Sequence, residues 1–268
     1  MTLGMGSELL NNAPDFSGKS VLVTGASRGL GRRAAEAFAA AGAKIMLSGR
    51  DQDALSTILQ ALPDPDRHVI FAADLREPGR IETLIAEGQN RLGGFDVIVH
   101  ALGGGFGFRE PLLSAEQFAM LHQVNLGIGA EINRLAVPGM IERGGGNIVM
   151  VGSLASTEAN GSVGYNSVKA ALAAYTRSLG RAMAGSGVIV TCVMPGMFFA
   201  EGNSMRRLQE RMPELVDKIA EDRLPRGRVG EVDELLPLLF LLAGPGASMM
   251  AGSCVAIDGG EGIAYAAL

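Results

Sequence analysis

The feature that most constrains this chain is a rhythm of seven short, β-rich apolar runs separated by longer helical stretches, most of them rich in alanine. The runs are Ser20–Thr24, Lys44–Ser48, His68–Ala72, Asp96–Ala101, Gly146–Val151, Val188–Met194 and Ser253–Ile257. Between them the spacing predicts helices such as Leu30–Ala41, Gln52–Ala61, Arg80–Arg91, Ala115–Ile141, Ser162–Ala184 and Val232–Ala243. Runs such as VLV, VIV and IVMV do not alternate with polar residues, so both faces of these strands should be covered. Strands that alternate with helices pair in parallel through right-handed crossovers. The expected fold is therefore α/β: one domain over residues 18–268 with a doubly wound, seven-stranded parallel sheet, after a flexible tail at residues 1–17. Ligands of such sheets gather beyond the carboxyl ends of the strands. The longest irregular region, Pro195 to Val229, is charged and Met-rich and is expected to form a lid there.

A chain of 268 residues with 47% hydrophobic residues suffices for one large core. The net charge is −5 and no basic block is present, which argues against nucleic acid or an anionic membrane as partner. The apolar run Leu235–Ala243 is too short to span a bilayer and contains Pro237, and the first residues do not read as a secretory signal. A cytoplasmic location is expected. Cys192 and Cys254 both fall in strand-like runs and read as reduced, buried thiols. No cluster has metal-ligand spacing, so no metal site is expected.

The first strand runs directly into Thr24-Gly25-Ala26-Ser27-Arg28-Gly29-Leu30-Gly31, and a helix follows. Glycines allow a tight turn and close approach to a pyrophosphate. The helix N-terminus adds free N–H groups and the positive end of a dipole. Gly25, Ser27, Arg28, Gly29, Leu30 and Gly31 are the candidate phosphate contacts.

Tyr165 and Lys169 lie four residues apart at the start of a helical stretch, on one face and one turn apart. A free phenol titrates at about 10, too high for a good base at neutral pH. A neighbouring ammonium favours phenolate, and the phenol then exchanges a proton with an alcohol or alkoxide. Ser153, at the end of the preceding strand, can hold the substrate oxygen beside Tyr165. Asn125 sits in mid-helix, where asparagine is unfavourable without a reason.

The spacing G-x-x-x-G-x-G, followed by Ser153 and Tyr165-x-x-x-Lys169, resembles the short-chain dehydrogenase/reductase family from about Gly18 to Asp258-Gly259-Gly260. The resemblance implies a Rossmann-like fold and carbonyl–alcohol interconversion with a nicotinamide cofactor. It assigns Ser153, Tyr165 and Lys169 to the catalytic centre, with Lys169 also on the nicotinamide ribose. Asn125 matches an asparagine whose locally bent helix holds a water in the proton relay. Asp74-Leu75 matches the adenine-contacting pair, and Pro195-Gly196 the turn beneath the nicotinamide. The family's Asn-Asn-Ala-Gly is here His100-Ala101-Leu102-Gly103, keeping only Gly103. His100 either replaces the first asparagine's tie between strands or leaves it unmade. The following glycine-rich stretch to Phe108 borders either the nicotinamide riboside or the substrate pocket, or is a plain loop. Ala200 stands where the family often has a threonine that bonds the carboxamide; Ser204 would substitute only if the loop folds back.

NADP(H) is the preferred cofactor, with NAD(H) as the alternative. The second strand ends at Gly49, without the acidic side chain of an NAD site. Arg50, Arg28 and Ser48 are read as a clamp for the 2′-phosphate; in the competing reading Asp51 accepts from the ribose and Arg50 turns to solvent. The substrate is a small carbonyl or alcohol, either a 3-oxoacyl thioester or a sugar or polyol. Phe106, Phe108, Met197, Phe198 and Phe199 read as pocket walls, and Glu201, Asn203 and Arg206 as hydroxyl contacts, or all of them as lid packing. The rivals are a non-catalytic NADP(H)-binding sensor and a sugar-nucleotide epimerase or dehydratase. Apolar residues on several faces of the two long helices suggest a homotetramer.

Overall fold

The structure, a computed structural model, describes residues 14–264. Seven parallel strands form one sheet: β1 (Ser20–Thr24), β2 (Lys44–Gly49), β3 (Val69–Ala72), β4 (Val97–His100), β5 (Gly146–Val151), β6 (Val188–Pro195) and, after two short strands, β9 (Cys254–Ile257). Their order is β3-β2-β1-β4-β5-β6-β9. The order reverses between β1 and β4, and a crevice opens there at the carboxyl ends. Every strand expected from the apolar runs is present, with ends displaced by at most one residue.

Helices α1 (Gly29–Ala40), α2 (Gln52–Ala61), α3 (Arg80–Leu92), α4 (Ala115–His122), α5 (Ile128–Glu142) and α6 (Val163–Met183) follow the strands in turn. Successive side chains of each strand point to opposite faces. Val21, Val23, Ile45 and Leu47 pack on Phe38 of α1 and on Leu239 of the last helix. Leu22, Met46 and Ile98 pack on Leu84, Ile132 and Leu172, from α3, α5 and α6. The sheet is thus covered on both sides, which is why its strands lack polar alternation. Phe16 lies in the stretch read as a tail, yet its ring packs edge-on against Phe38 at 4.9 Å between centroids. Residues 1–13 of that tail lie outside the described residues.

Two expectations are corrected. The helix expected over Ala115–Ile141 is not uniform, because α4 and α5 are joined by a π-helical turn at Gln123–Gly127. The region expected to be irregular carries β7 (Phe198–Phe199), α7 (Ser204–Arg211) and α8 (Pro213–Arg223) before β8 (Gly230–Glu231). It has its own small core of Val216, Ala220, Leu224 and Val229, against which Met197 and Phe199 pack. The chain then enters α9 (Leu236–Ala243), with Pro237 in its first turn, where a missing N–H costs nothing. Among the described residues, no helix is long and apolar enough to cross a membrane.

Candidate active site

The β1–α1 turn is built so that backbone stands where side chains cannot. Gly25 and Gly29 have φ of +69° and +60°, a region that favours glycine. A Cβ on Gly31 would lie 2.3 Å from the Gly25 carbonyl oxygen, and one on Gly25 3.0 Å from the Ala101 backbone. Arg28 precedes α1 in extended conformation, and no side chain caps the helix. The first N–H groups of α1 therefore face the crevice without side-chain partners, as an anion site requires. Leu30 is buried beneath the turn.

Arg50 is exposed just past β2. Asp51 is the N-cap of α2, its carboxylate accepting from the Ala54 N–H at 3.0 Å. That bond uses one of about four lone-pair sites, so Asp51 can still accept from a ribose hydroxyl. Asp74 follows β3, and Arg76 grips its carboxylate through Nε at 3.0 Å and through Nη2. This pair, with a smaller contribution from Arg50, holds the Asp74 carboxyl down to about 2. A carboxylate has about four lone-pair sites, so Asp74 can still accept from an amino group. Leu75 beside it is buried. Ser48 does not join the surface clamp read from the sequence. It is fully buried, its Oγ has no partner, and register with Thr24 places it on an inner face of the sheet. Arg28 lies on the lid side, where a Cβ on Gly202 would meet its Cδ at 3.3 Å.

Tyr165 and Lys169 lie in the first two turns of α6. Lys169 is buried, and its Nζ donates to the Val151 carbonyl at 2.8 Å, two residues before Ser153. The same Nζ sits 5.6 Å from the Tyr165 ring centre. Ser153 opens a short 3-10 turn after β5, and its Oγ accepts from the Ala155 N–H at 3.2 Å. Lys169 thus joins the strand that ends at Ser153 to the helix that carries Tyr165.

Asn125 is the centre of the π turn. Its Nδ2 donates to the Leu121 and Gly104 carbonyls, both at 3.0 Å, and its Oδ1 accepts from the Gly104 N–H at 3.0 Å. The amide takes the Leu121 carbonyl, to which its own backbone N–H would bond in an α-helix, and the Ile128 N–H reaches back to Gln123 instead. The glycine-rich loop is thereby clamped beside Tyr165. A Cβ on Gly103 would lie 2.9 Å from Asn125 Oδ1 and 3.4 Å from Lys169 Nζ, and one on Gly105 3.7 Å from the Tyr165 ring. Gly103 keeps open the space that faces both residues.

Pro195 ends β6, and Gly196 donates to the Ile257 carbonyl at 3.2 Å. Glu261, which the sequence did not single out, accepts from the next N–H, that of Met197, at 2.6 Å. Ala200 is buried, 4.0 Å from a Cβ built on Gly29, and Ser204 is exposed in the first turn of α7. No hydroxyl replaces the threonine from that position. The polar groups of the lid are engaged within the protein. Glu201 pairs with Arg32 at 2.7 Å, Asn203 caps α7, and the Arg206 guanidinium lies 4.5 Å from the Phe199 ring centre.

His100 ends β4 and is buried. Its Nε2 meets Asn133 Oδ1 at 2.8 Å, and Asn133 Nδ2 donates to the Tyr175 hydroxyl at 3.1 Å. With the Asn133 amide oriented so that its oxygen accepts here, His100 carries its proton on Nε2. Burial pushes the imidazole down to about 4. Asn133 and Tyr175 are partners the sequence reading missed.

The family model described as enoyl-(acyl carrier protein) reductase matches residues 25–261. A 3-oxoacyl-[acyl-carrier-protein] reductase of Vibrio cholerae is 28% identical over 250 residues, 92% of this chain and 98% of the relative. A 2,3-dihydroxy-2,3-dihydro-p-cumate dehydrogenase of Pseudomonas putida is 30% identical over 262 residues, 95% of this chain and 98% of the relative. The L-sorbose reductase of Gluconobacter frateurii, solved with NADPH and L-sorbose, superposes with a TM-score of 0.84 at 26% identity, covering 92% of this chain and 97% of that one. With the phosphate-binding turn, the sheet order and the Ser153, Tyr165 and Lys169 positions, these matches place the chain in the short-chain dehydrogenase/reductase family, as an oxidoreductase acting on CH–OH groups with NAD(P).

Proposed function

We propose that this protein reduces a carbonyl on an apolar chain, of the 3-oxoacyl thioester class, with NADPH, and runs the reverse oxidation with NADP+. The observation that carries the reading is the Lys169 ammonium, fixed to the Val151 carbonyl and 5.6 Å from the Tyr165 ring. The cofactor fits the uncapped start of α1 and the space over Gly103. When bound, it supplies or accepts the hydride. The protein's residues supply the rest. Ser153 Oγ holds the substrate oxygen, and Tyr165 passes a proton to it as the alkoxide forms. Lys169 stabilises the phenolate left behind, and its two remaining N–H groups serve the ribose hydroxyls. Asn125 holds the loop that shapes this space and supports the proton relay at Lys169. Asp74 and Leu75 border the adenine, and Pro195-Gly196 the nicotinamide.

An apolar substrate chain is favoured over a polyol because Phe106 and Phe108 stand beside Gly105, next to the tyrosine, with ring centres 6.1 Å apart. Glu201 and Asn203 of the lid already hold partners within the protein. The phosphate preference rests on Arg50, exposed beside a Gly49 that offers no carboxylate. Charge-assisted bonds of roughly 1.5–3 kcal/mol would give about tenfold to a hundredfold preference for NADPH. The assay is kcat/KM with both cofactors, on a 3-oxoacyl thioester and on a ketose. NADPH and the thioester should win. In Gly49→Asp/Arg50→Ala the cofactor preference should reverse; a Cβ at Gly49 meets Ser27 only at 3.4 Å, so the change fits. A native preference for NADH, or for the ketose, would contradict that half of the proposal.

The same reading includes a homotetramer. The sheet ends on the edge strand β9, and Met249 just before it is 95% exposed. Ile141 at the end of α5 is 41% exposed. We assign the apolar C-terminal segment Gly262–Leu268 to a second interface of this tetramer; it is described only to Ala264. Sedimentation at micromolar concentration should give four chains per particle; a stable, active monomer contradicts it.

A further inference from the structure

We propose that Cys192 and Cys254 form a peroxide-oxidisable thiol pair beneath the catalytic floor, which closes reversibly to a disulfide and slows turnover. The two residues are direct register partners on the adjacent parallel strands β6 and β9. Register partners project from the same face, across a strand spacing of about 4.7–4.9 Å, inside the window of roughly 4.4–6.8 Å between α-carbons that a disulfide spans. Both thiols are free. Their face is the one covered by α6, where Cys254 Sγ lies 3.7 Å from the Ala173 carbonyl.

The two sulfurs differ in access. Cys192 is fully buried, whereas Cys254 is only partly so. The neighbouring Cys254 sulfur and burial keep the Cys192 thiol protonated, while the adjacent Cys192 sulfur and the Arg177 charge favour ionisation of Cys254. Arg177 packs on this corner, its α-carbon 3.4 Å from a Cβ on Gly252. Cys254 is therefore the attacking group. Its thiolate attacks one peroxide oxygen, the O–O bond breaks, and the leaving hydroxide takes up the proton the thiol released, giving the sulfenic acid and one water. Cys192 then displaces the sulfenic oxygen from the Cys254 sulfur, releasing a second water and leaving the disulfide. Two thiols lose two electrons, and the peroxide gains them.

Closure acts on the site through contact. Cys192 Sγ presses on the chain at Gly152, where a Cβ would come within 2.7 Å, and Ser153 is the next residue. Ala173, against Cys254, is one turn beyond Lys169 on α6. Drawing the sulfurs to bonding distance moves the support of both Ser153 and Lys169.

The test treats the reduced full-length protein with hydrogen peroxide and maps its peptides under non-reducing conditions. A Cys192–Cys254 cross-linked peptide should appear, short of two hydrogens, and both titratable thiols should vanish together. Turnover should fall severalfold on the same time course and return with dithiothreitol. In Cys192→Ala, a dimedone adduct should form on Cys254 instead. Thiols that stay free, oxidation to sulfinic or sulfonic acid without the cross-link, or a cross-link that leaves turnover unchanged would each overturn the proposal. The peptide map needs no substrate, so its outcome is independent of the function proposed above.

Discussion

Replacing Tyr165 with phenylalanine should lower kcat by on the order of 10²-fold or more while cofactor affinity stays within a few fold. In the proposed mechanism the phenol is the proton donor to the forming alkoxide, and the change removes one oxygen from a side chain whose ring packs unchanged beside Gly105 and Lys169. Lys169 keeps its bond to the Val151 carbonyl, so the ammonium proposed to meet the ribose stays in place. Rate and binding are therefore expected to separate. Steady-state turnover with fluorescence titration of NADPH checks both. Near-normal turnover of Tyr165→Phe on its best substrate would remove the tyrosine from the chemistry.

The parts of this site that were readable in the sequence are those set by local rules. The glycine turn between β1 and α1, the four-residue spacing of Tyr165 and Lys169, and the ends of β3, β5 and β6 all follow from patterns within a few residues. What escaped depends on contacts remote in sequence. Asn125 is an ill-suited helix residue by its type alone, but its grip on Gly104, 21 residues away, appears only in three dimensions. The helices α7 and α8 leave little signal in the sequence because they are short and heavily charged, and their apolar residues pack on the lid's own small core. Ser48 looked available because it ends an apolar run; the sheet's register turns its hydroxyl inward instead. Phe16 looked like part of a tail because its partners Phe38 and Phe240 lie far along the chain.

His100 should make the native protein lose about 3 kcal/mol of stability between pH 7 and pH 4, a loss that His100→Asn should largely abolish. The imidazole titrates at about 4 in the folded protein against 6.5 unperturbed, because burial disfavours its charged form. Below pH 6.5 the unfolded chain takes up a proton that the folded chain refuses until about pH 4. Stability is therefore fully present above pH 6.5 and declines as the pH falls toward 4. Asp74 does not share this window, since its depressed carboxyl stays ionised to about 2. His68, lowered in the same direction by burial, is present in both proteins and cancels in the comparison. At pH 7 the variant should start lower by about 1 kcal/mol, because the asparagine that replaces His100 is shorter and leaves Asn133 Oδ1 less well satisfied. The two stability–pH curves should then converge or cross as the medium is acidified. Urea unfolding at several pH values measures both; parallel curves would mean that the imidazole is not held neutral by its burial between β4, α5 and α6.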